Sequence, residues 1–411
     1  MSIIKQHLEA LQPSSTLLIN EISKEMEAGG KTIYKFGFGQ SPFPVPQNVV
    51  EKLKENAHQK DYLPAKGLLN LRKSIAKHLA KKKYNNLTEN NIIVGPGSKE
   101  LMFLLQICFD GDLILPAPSW VSYAPQSIIV KNKVHWIQTT ADTNWHVTVD
   151  QIEEVSKKIE SKNKLIILNS PNNPSGTNAK NLKELAEAFK KYNYTVLSDE
   201  IYSDLHFGNE FHSIAHYYPN TIISNGLSKW AGAGGWRLGF FAIPDTLKEI
   251  NDKISVLATE TFSAVSAPIQ HAAVEAYESD QTEYLSKSIK ILKIIADNVF
   301  KKFNTNNIKV LKPEGGFYIM PDFTNLLSSK FKSSSDLCRS LLEETGVAVL
   351  PGSDFGFPKE KLLFRLGFVD FDGSKLLKAN QEELTEDFVL KNASKVMDGI
   401  DKIIEWSQKH S

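Results

Sequence analysis

Leu165-Ile166-Ile167-Leu168 is apolar at every position. A strand with one face in water alternates apolar and polar residues. An unbroken branched apolar run fits a parallel strand covered by helices on both faces. Reading outward, similar runs recur at 91–94, 112–115, 133–138, 195–198, 221–224 and 238–243. Helical stretches lie between them: over 181–190, Leu182, Leu185, Ala186 and Phe189 fall on one side and lysines on the other. Repeated strand–helix–strand units predict an α/β fold, its large domain holding a mostly parallel seven-stranded sheet between helices.

Beyond that sheet the pattern changes. A long helix is expected over 286–303, then short strand-like segments at 308–310, 316–320, 347–350 and 362–368, with helices near 335–344 and 392–408. These predict a second, smaller α/β domain. The expected division is an N-terminal arm and part of the small domain over 1–40, the large domain over 41–290, and the small C-terminal domain over 291–411. The length of 411 residues supports two domains. No internal repeat or low-complexity segment stands out.

Composition excludes several function classes. Lys and Arg number 48 against 47 Asp and Glu, for a net charge of +1, so no nucleic-acid face is expected. No run of about 18 apolar residues predicts a membrane span, and Lys5, Glu9 and Pro13 interrupt the first 18 residues, unlike a signal peptide. The two cysteines, Cys108 and Cys338, sit in hydrophobic settings and read as core residues of a reducing, cytoplasmic compartment.

Polar chemistry gathers where strands are expected to end, which is where open α/β sheets bind ligands. Lys229 closes Asn225-Gly226-Leu227-Ser228-Lys229, and Arg237 follows in Gly234-Gly235-Trp236-Arg237. An ammonium is rarely buried without a partner. Where burial is tolerated, desolvation turns it into a nucleophile or Schiff-base former; a solvated surface lysine is the plain alternative. Gly95-Pro96-Gly97-Ser98-Lys99-Glu100 opens a helix whose amide N–H groups suit an anion, although a turn with an N-cap serine explains it equally well. Asn169-Ser170-Pro171-Asn172-Asn173-Pro174-Ser175-Gly176 is either loop punctuation or a rigid turn that aims an asparagine amide. Asp199, after the run 195–198, is expected to be desolvated and in need of a cationic partner. A protonated pyridine nitrogen would serve: at ~4 Å and an effective dielectric of ~20 the attraction is about 4 kcal/mol before desolvation is subtracted. Tyr202, three residues on, is expected on the same helical face.

Asp199-x-x-Tyr202, Ser228-Lys229 with Arg237 eight positions later, and Asn172-Asn173-Pro174-Ser175-Gly176 together resemble the class I/II aminotransferases, pyridoxal-phosphate enzymes of fold type I. The likeness runs from about Ser14 to the C-terminus. It implies that Lys229 holds the cofactor as a Schiff base and shuttles the proton. It places Asp199 on the pyridine nitrogen, Asn173 and Tyr202 on the ring oxygen, and Trp120 on the ring face. Gly97, Ser98, Lys99, Ser228 and Arg237 are implied around the phosphate, with Tyr62 reaching the phosphate of a neighbouring subunit in a homodimer. Arg365 is implied to fork onto the substrate α-carboxylate, assisted by Asn173 and the backbone of Gly39. The expected partners are an amino acid and a 2-oxo acid, exchanged by a ping-pong mechanism. β-Elimination by a carbon–sulfur lyase on the same scaffold is the alternative, and a non-catalytic regulator the more distant one.

Three departures bear on substrate choice rather than cofactor. Gly226 stands where many relatives carry serine or threonine, Gly39-Gln40-Ser41-Pro42 replaces a Gly-Glu-Pro-Asp element, and Trp230-Ala231-Gly232-Ala233-Gly234 follows the lysine. His206, His212 and His216 lack the partners of a zinc site, so no metal is expected. Gly29-Gly30-Lys31-Thr32 lacks the first glycine and the preceding strand of a P-loop.

Overall fold

The structure, a computed structural model, describes residues 3–9, 11, 15–84 and 86–411. Ser14, where the resemblance begins, and Pro13 lie outside the described residues. Seven strands form the central sheet: β1 (Ile92–Gly95), β2 (Asp112–Ala117), β3 (Val134–Gln138), β4 (Lys164–Asn169), β5 (Tyr194–Asp199), β6 (Thr221–Gly226) and β7 (Gly239–Ala242). Their order is β1-β7-β6-β5-β4-β2-β3. Only β7 runs against its neighbours; the other pairings are parallel.

The apolar run that predicted two-sided burial behaves accordingly. β4 is buried along its whole length. Leu165 and Ile167 pack with Leu101 and Leu105 of α1 (Ser98–Cys108) on one face, and Ile166 and Leu168 with Leu185 and Phe189 of α2 (Leu182–Lys191) on the other. Each such side chain contributes about 1.5–3 kcal/mol on leaving water, so the two layers hold the sheet from both sides.

The C-terminal part contains α3 (Thr282–Thr305), β8 (Tyr318–Ile319), α4 (Ser334–Thr345), β9 (Leu350–Pro351), β10 (Phe364–Gly367) and α5 (Ser394–His410). Strands β9, β10 and β8 form an antiparallel sheet in that order. Two expectations need correction. Residues 308–310 form no strand; Lys309 makes only an isolated bridge to Asp322. The run 347–350 is not one strand: Val347–Ala348 pairs in parallel with Tyr34–Lys35, whereas Leu350–Pro351 pairs with β10. The first pairing ties the N-terminal segment to the C-terminal part. Helix α3 runs unbroken across position 290, and one apolar cluster takes in Ile291, Ile295, Ile400 and Ile403 together with Leu71 and Phe240. We propose an N-terminal arm with part of the small domain over 1–40, a large domain over 41–290 and a small C-terminal domain over 291–411, the last two joined through α3.

Six of the seven central strands point the same way, so β1, β2, β4, β5 and β6 deliver their following residues to one edge. Among the described residues no helix is long and apolar enough to cross a membrane.

Candidate active site

A cavity of about 650 Å³ opens at that edge. Every residue assigned by resemblance lines it except Gly97 and Tyr62. β6 ends at Gly226, and Ser228 and Lys229 follow directly. Lys229 Nζ donates to the Gly39 carbonyl at 2.5 Å and lies 5.8 Å from the ring centres of Tyr202 and Phe317. Burial holds its amine below the ordinary lysine range, and the Arg365 and Arg237 charges add to this, while Tyr318 and Asp199 oppose it. A depressed pKa moves a lysine toward its free-base, nucleophilic form.

Asp199 ends β5 and is only 4% exposed. Burial pushes its carboxyl up to about 6, and the hydrogen bond from Tyr123 pulls it back toward the charged form. That bond, Tyr123 Oη to Asp199 Oδ2, measures 2.6 Å. Tyr202 does not share a helical face with Asp199, contrary to expectation: the strand stops at Asp199, and a turn carries Tyr202 to the start of the 3₁₀ segment Ser203–Leu205. The turn still brings both side chains into the cavity. Tyr202 Oη donates to Tyr318 Oη at 3.3 Å.

The loop after β4 is rigid. Asn169 Nδ2 donates to the Asp199 carbonyl at 2.8 Å, and the Asn173 amide donates to Asn169 Oδ1 at 2.6 Å. Asn173 Oδ1 then accepts from Arg365 Nη1 at 3.1 Å, while Arg365 Nη2 donates to the Gly37 carbonyl at 2.7 Å. Arg365 is 2% exposed, and its buried Nε has no hydrogen-bond partner among the described residues. Its guanidinium carbon lies 4.6 Å from the Tyr318 ring centre and 5.4 Å from that of Phe355.

At the other end of the cavity, Ser98 begins α1. Arg237 reaches over this helix start, donating to the Gly234 carbonyl at 3.0 Å and the Pro96 carbonyl at 3.3 Å. Gly97, although not a lining residue, makes this possible. It has φ +86°, and a Cβ there would sit 2.2 Å from Arg237 Nη2. Lys99 Nζ stands 5.0 Å from the Trp120 ring centre, and Trp120 meets Tyr123 edge-on at 5.4 Å. Tyr62 is 92% exposed and takes no part in the cavity of its own chain. Gly226 has a physical reason: a Cβ there would lie 2.7 Å from the Leu238 carbonyl and 2.8 Å from Gly239 Cα, so serine or threonine has no room.

Tyr123, Asn169 and Tyr318 were missed from sequence. Tyr123 falls three residues after Trp120, a spacing that offers a signal. Tyr318 sits in Phe317-Tyr318-Ile319, which reads as plain core. His206 and His216 spend ring nitrogens on backbone groups.

These residues fit pyridoxal phosphate. A pyridinium would meet the buried Asp199 carboxyl, which lacks a cationic side-chain partner among the bonds it makes here. A ring hydroxyl would meet the Tyr202 phenol, and an aldehyde the Lys229 amine. A phosphate would meet a helix start, where N–H groups and the dipole favour an anion, reinforced by Arg237. The cavity volume also falls in the range of small-molecule sites.

Comparison with known proteins agrees. The profile of the family "Aminotransferase class I and II" matches residues 31–372. An aspartate aminotransferase of Bacillus sp. (strain YM-2) is 32% identical over 371 residues, covering 87% of this chain and 93% of that protein. An asparagine–oxo-acid transaminase of Streptococcus mutans is 29% identical over 381 residues, covering 87% and 93%. The crystal structure of aspartate aminotransferase from Thermotoga maritima superposes with a TM-score of 0.82 at 25% identity, over 98% of this chain and all of that one. None of these relatives favours the carbon–sulfur lyase alternative. With profile, relatives and fold in agreement, the chain belongs to the class I and II aminotransferases and is a pyridoxal-phosphate-dependent transaminase.

Proposed function

We propose that the enzyme transfers the amino group of an acidic L-amino acid, aspartate foremost, to a 2-oxo acid by a ping-pong cycle. The observation that carries transamination is charge: Lys99, Lys229, Arg237 and Arg365 line the cavity, with Asp199 as the single carboxylate among the described lining residues. A phosphate accounts for Lys99 and Arg237, an α-carboxylate for Arg365 and the cofactor aldehyde for Lys229, so the acidic side chain of the donor is carried by the names of the Bacillus and Thermotoga relatives.

Bound pyridoxal phosphate supplies an aldehyde that captures amino groups and a cationic ring that absorbs the electron pair left at the substrate Cα. The protein's part is positioning and proton traffic. Lys229 would anchor the cofactor and, as free amine, would carry the proton between the substrate Cα and the cofactor. Burial holds that amine below the ordinary lysine range. Asp199 would face the ring nitrogen, and its ionised form is held by Tyr123. Asn173 and Tyr202 would hold the ring oxygen. Trp120 would cover one ring face. Gly97, Ser98, Lys99, Ser228 and Arg237 would hold the phosphate. Arg365 binds the α-carboxylate with Asn173 and Gly39, its buried Nε being an unspent donor.

Tyr62, at 92% exposure, is a residue for a homodimeric partner's site, and Leu69 and Val256 add exposed apolar surface for such an interface. The free thiols of Cys108 and Cys338, both pushed up by burial, support a reducing, cytoplasmic setting.

A donor panel tests the reading. Aspartate, asparagine, alanine and phenylalanine are each offered with 2-oxoglutarate, and product oxo acid is measured. Aspartate is expected to give the highest kcat/KM; a better neutral or aromatic donor removes the acidic assignment. Pyruvate and ammonia formed without an oxo-acid acceptor would instead favour elimination. Borohydride reduction followed by peptide mapping should place the cofactor on Lys229.

A further inference from the structure

We infer that Tyr318 is a positioning residue for the transamination, linking the arginine that binds the substrate carboxylate to the tyrosine that holds the cofactor ring. This rests on the roles proposed above for Arg365 and Tyr202.

Tyr318 opens β8 and pairs with Gly367 of β10, two residues from Arg365. It is 1% exposed yet lines the cavity. Three contacts converge on it. Its ring face lies 4.6 Å under the Arg365 guanidinium carbon. Its hydroxyl meets the Tyr202 hydroxyl at 3.3 Å, with the two rings edge to face at 5.7 Å. Its hydroxyl also fills the space beside Gly39: a Cβ at residue 39 would lie 2.0 Å from Tyr318 Oη, 3.3 Å from its Cζ and 3.9 Å from Lys229 Nζ. Gly39 is the residue whose carbonyl accepts from Lys229.

The chemistry needs such a link. A guanidinium recognises a carboxylate through a planar fork, so its plane matters as much as its position. Asn173 Oδ1 and the Gly37 carbonyl fix two nitrogens of Arg365, and the Tyr318 and Phe355 rings fix the plane. The same phenol supports Tyr202 from behind. Substrate carboxylate and cofactor ring are thereby held to a common frame, which is what a reaction governed by orientation at Cα requires. Glycine at 39 follows, since any side chain would displace the phenol.

The test uses the cofactor-loaded enzyme and three variants. Tyr318→Leu removes the ring face; the KM for aspartate and the dissociation constant of succinate, which has no amino group to react, should each rise roughly tenfold, with kcat less affected, in keeping with loss of a desolvated cation–ring contact. Tyr318→Phe keeps the face; both constants should stay within about twofold while the pH midpoint of the cofactor's visible absorbance moves, because a hydrogen bond to Tyr202 is gone. Gly39→Ala should lose most activity, and the double change Gly39→Ala with Tyr318→Phe should recover it, because the clash is with the hydroxyl. Unchanged succinate binding in Tyr318→Leu, or no rescue in the double variant, would overturn the proposal. If Tyr318→Leu does not fold, the midpoint shift and the rescue decide alone, and the absence of either sinks it. Arg365→Ala is measured alongside. If Arg365→Ala weakens succinate binding and Tyr318→Leu does not, the Tyr318 role fails while the Arg365 role stands; if Arg365→Ala leaves binding unchanged, both fall.

Discussion

Tyr123 Oη lies 2.6 Å from Asp199 Oδ2, a buried hydroxyl donating to a buried carboxylate that ends the central strand of the site. The bond opposes what burial does to the acid, since burial raises the carboxyl and the phenol donates to its charged form. Tyr123→Phe should therefore move the Asp199 carboxyl further up. Hydrogen bonds to charged groups are worth about 1.5–3 kcal/mol, so kcat should fall roughly tenfold or more as the ring nitrogen loses its counter-charge. The acidic limb of the kcat/KM profile should shift to higher pH. Kinetics and a pH profile identical to the parent would remove Tyr123 from the site's electrostatics.

Asp199 itself should cost stability when the cofactor is stripped. Its carboxyl sits at about 6 in the folded chain against an ordinary 3.8. A raised carboxyl favours the protonated form in the fold, so its contribution is neutral below 3.8, becomes unfavourable between 3.8 and about 6, and stays so above. The ceiling of that penalty is about 3 kcal/mol. Asp199→Asn should make the cofactor-free protein more stable to urea at neutral pH, with the advantage shrinking as pH falls toward 4, while transamination by the loaded variant collapses. Equal stability of variant and parent across that range would contradict the burial argument.

Arg365 tests the carboxylate end. Its two Nη groups are held by Asn173 and Gly37, and its Nε is buried and unspent. Arg365→Ala should lower kcat/KM by about 2–4 kcal/mol, chiefly through KM, as expected for removing one partner of a desolvated charge pair. Arg365→Lys should recover little, because an ammonium cannot reproduce the planar fork. Full recovery by lysine would mean that charge alone suffices there.

The fold was legible because burial on two faces leaves a mark: Leu165–Leu168 is apolar throughout, and the inner strands left shorter runs of the same kind, whereas the edge strand Val134–Gln138 mixes His135 and Gln138 into its run and is mostly not buried. The C-terminal part was less so. Two-residue pairings such as Tyr34–Lys35 with Val347–Ala348 carry no period to read, and Ile308 and Val310 pack against the core around an exposed Lys309 without forming a ladder. Lys229 and Asp199 were legible because charged groups beside apolar runs demand partners, whereas Arg365 was reached only through the family resemblance. Tyr318 and Tyr123 were not, because a phenol in an apolar segment looks the same whether it fills core or holds a neighbour. Tyr62 is proposed for the site of a second chain, a role that geometry within one chain does not assign.

Gly97 offers the sharpest separation of cofactor binding from chemistry. Its φ of +86° and the 2.2 Å approach of Arg237 Nη2 leave no place for a methyl group. Gly97→Ala should push the guanidinium off the start of α1 and weaken pyridoxal phosphate binding by about tenfold or more, the value of one charge-assisted hydrogen bond. With saturating cofactor, kcat should be largely kept, since Lys229 and Asp199 follow other strands. With ψ 155° this backbone lies in a region open essentially to glycine, so strain alone also costs stability, by about 1–3 kcal/mol. Gly30→Ala supplies the control, having φ +85° and nothing within 4 Å of the new methyl. It should lose stability through its own positive φ while keeping its cofactor affinity, measured by fluorescence titration of the stripped protein. Equal affinities for the Gly97→Ala and Gly30→Ala proteins would show that Arg237 does not need this close approach to hold the phosphate.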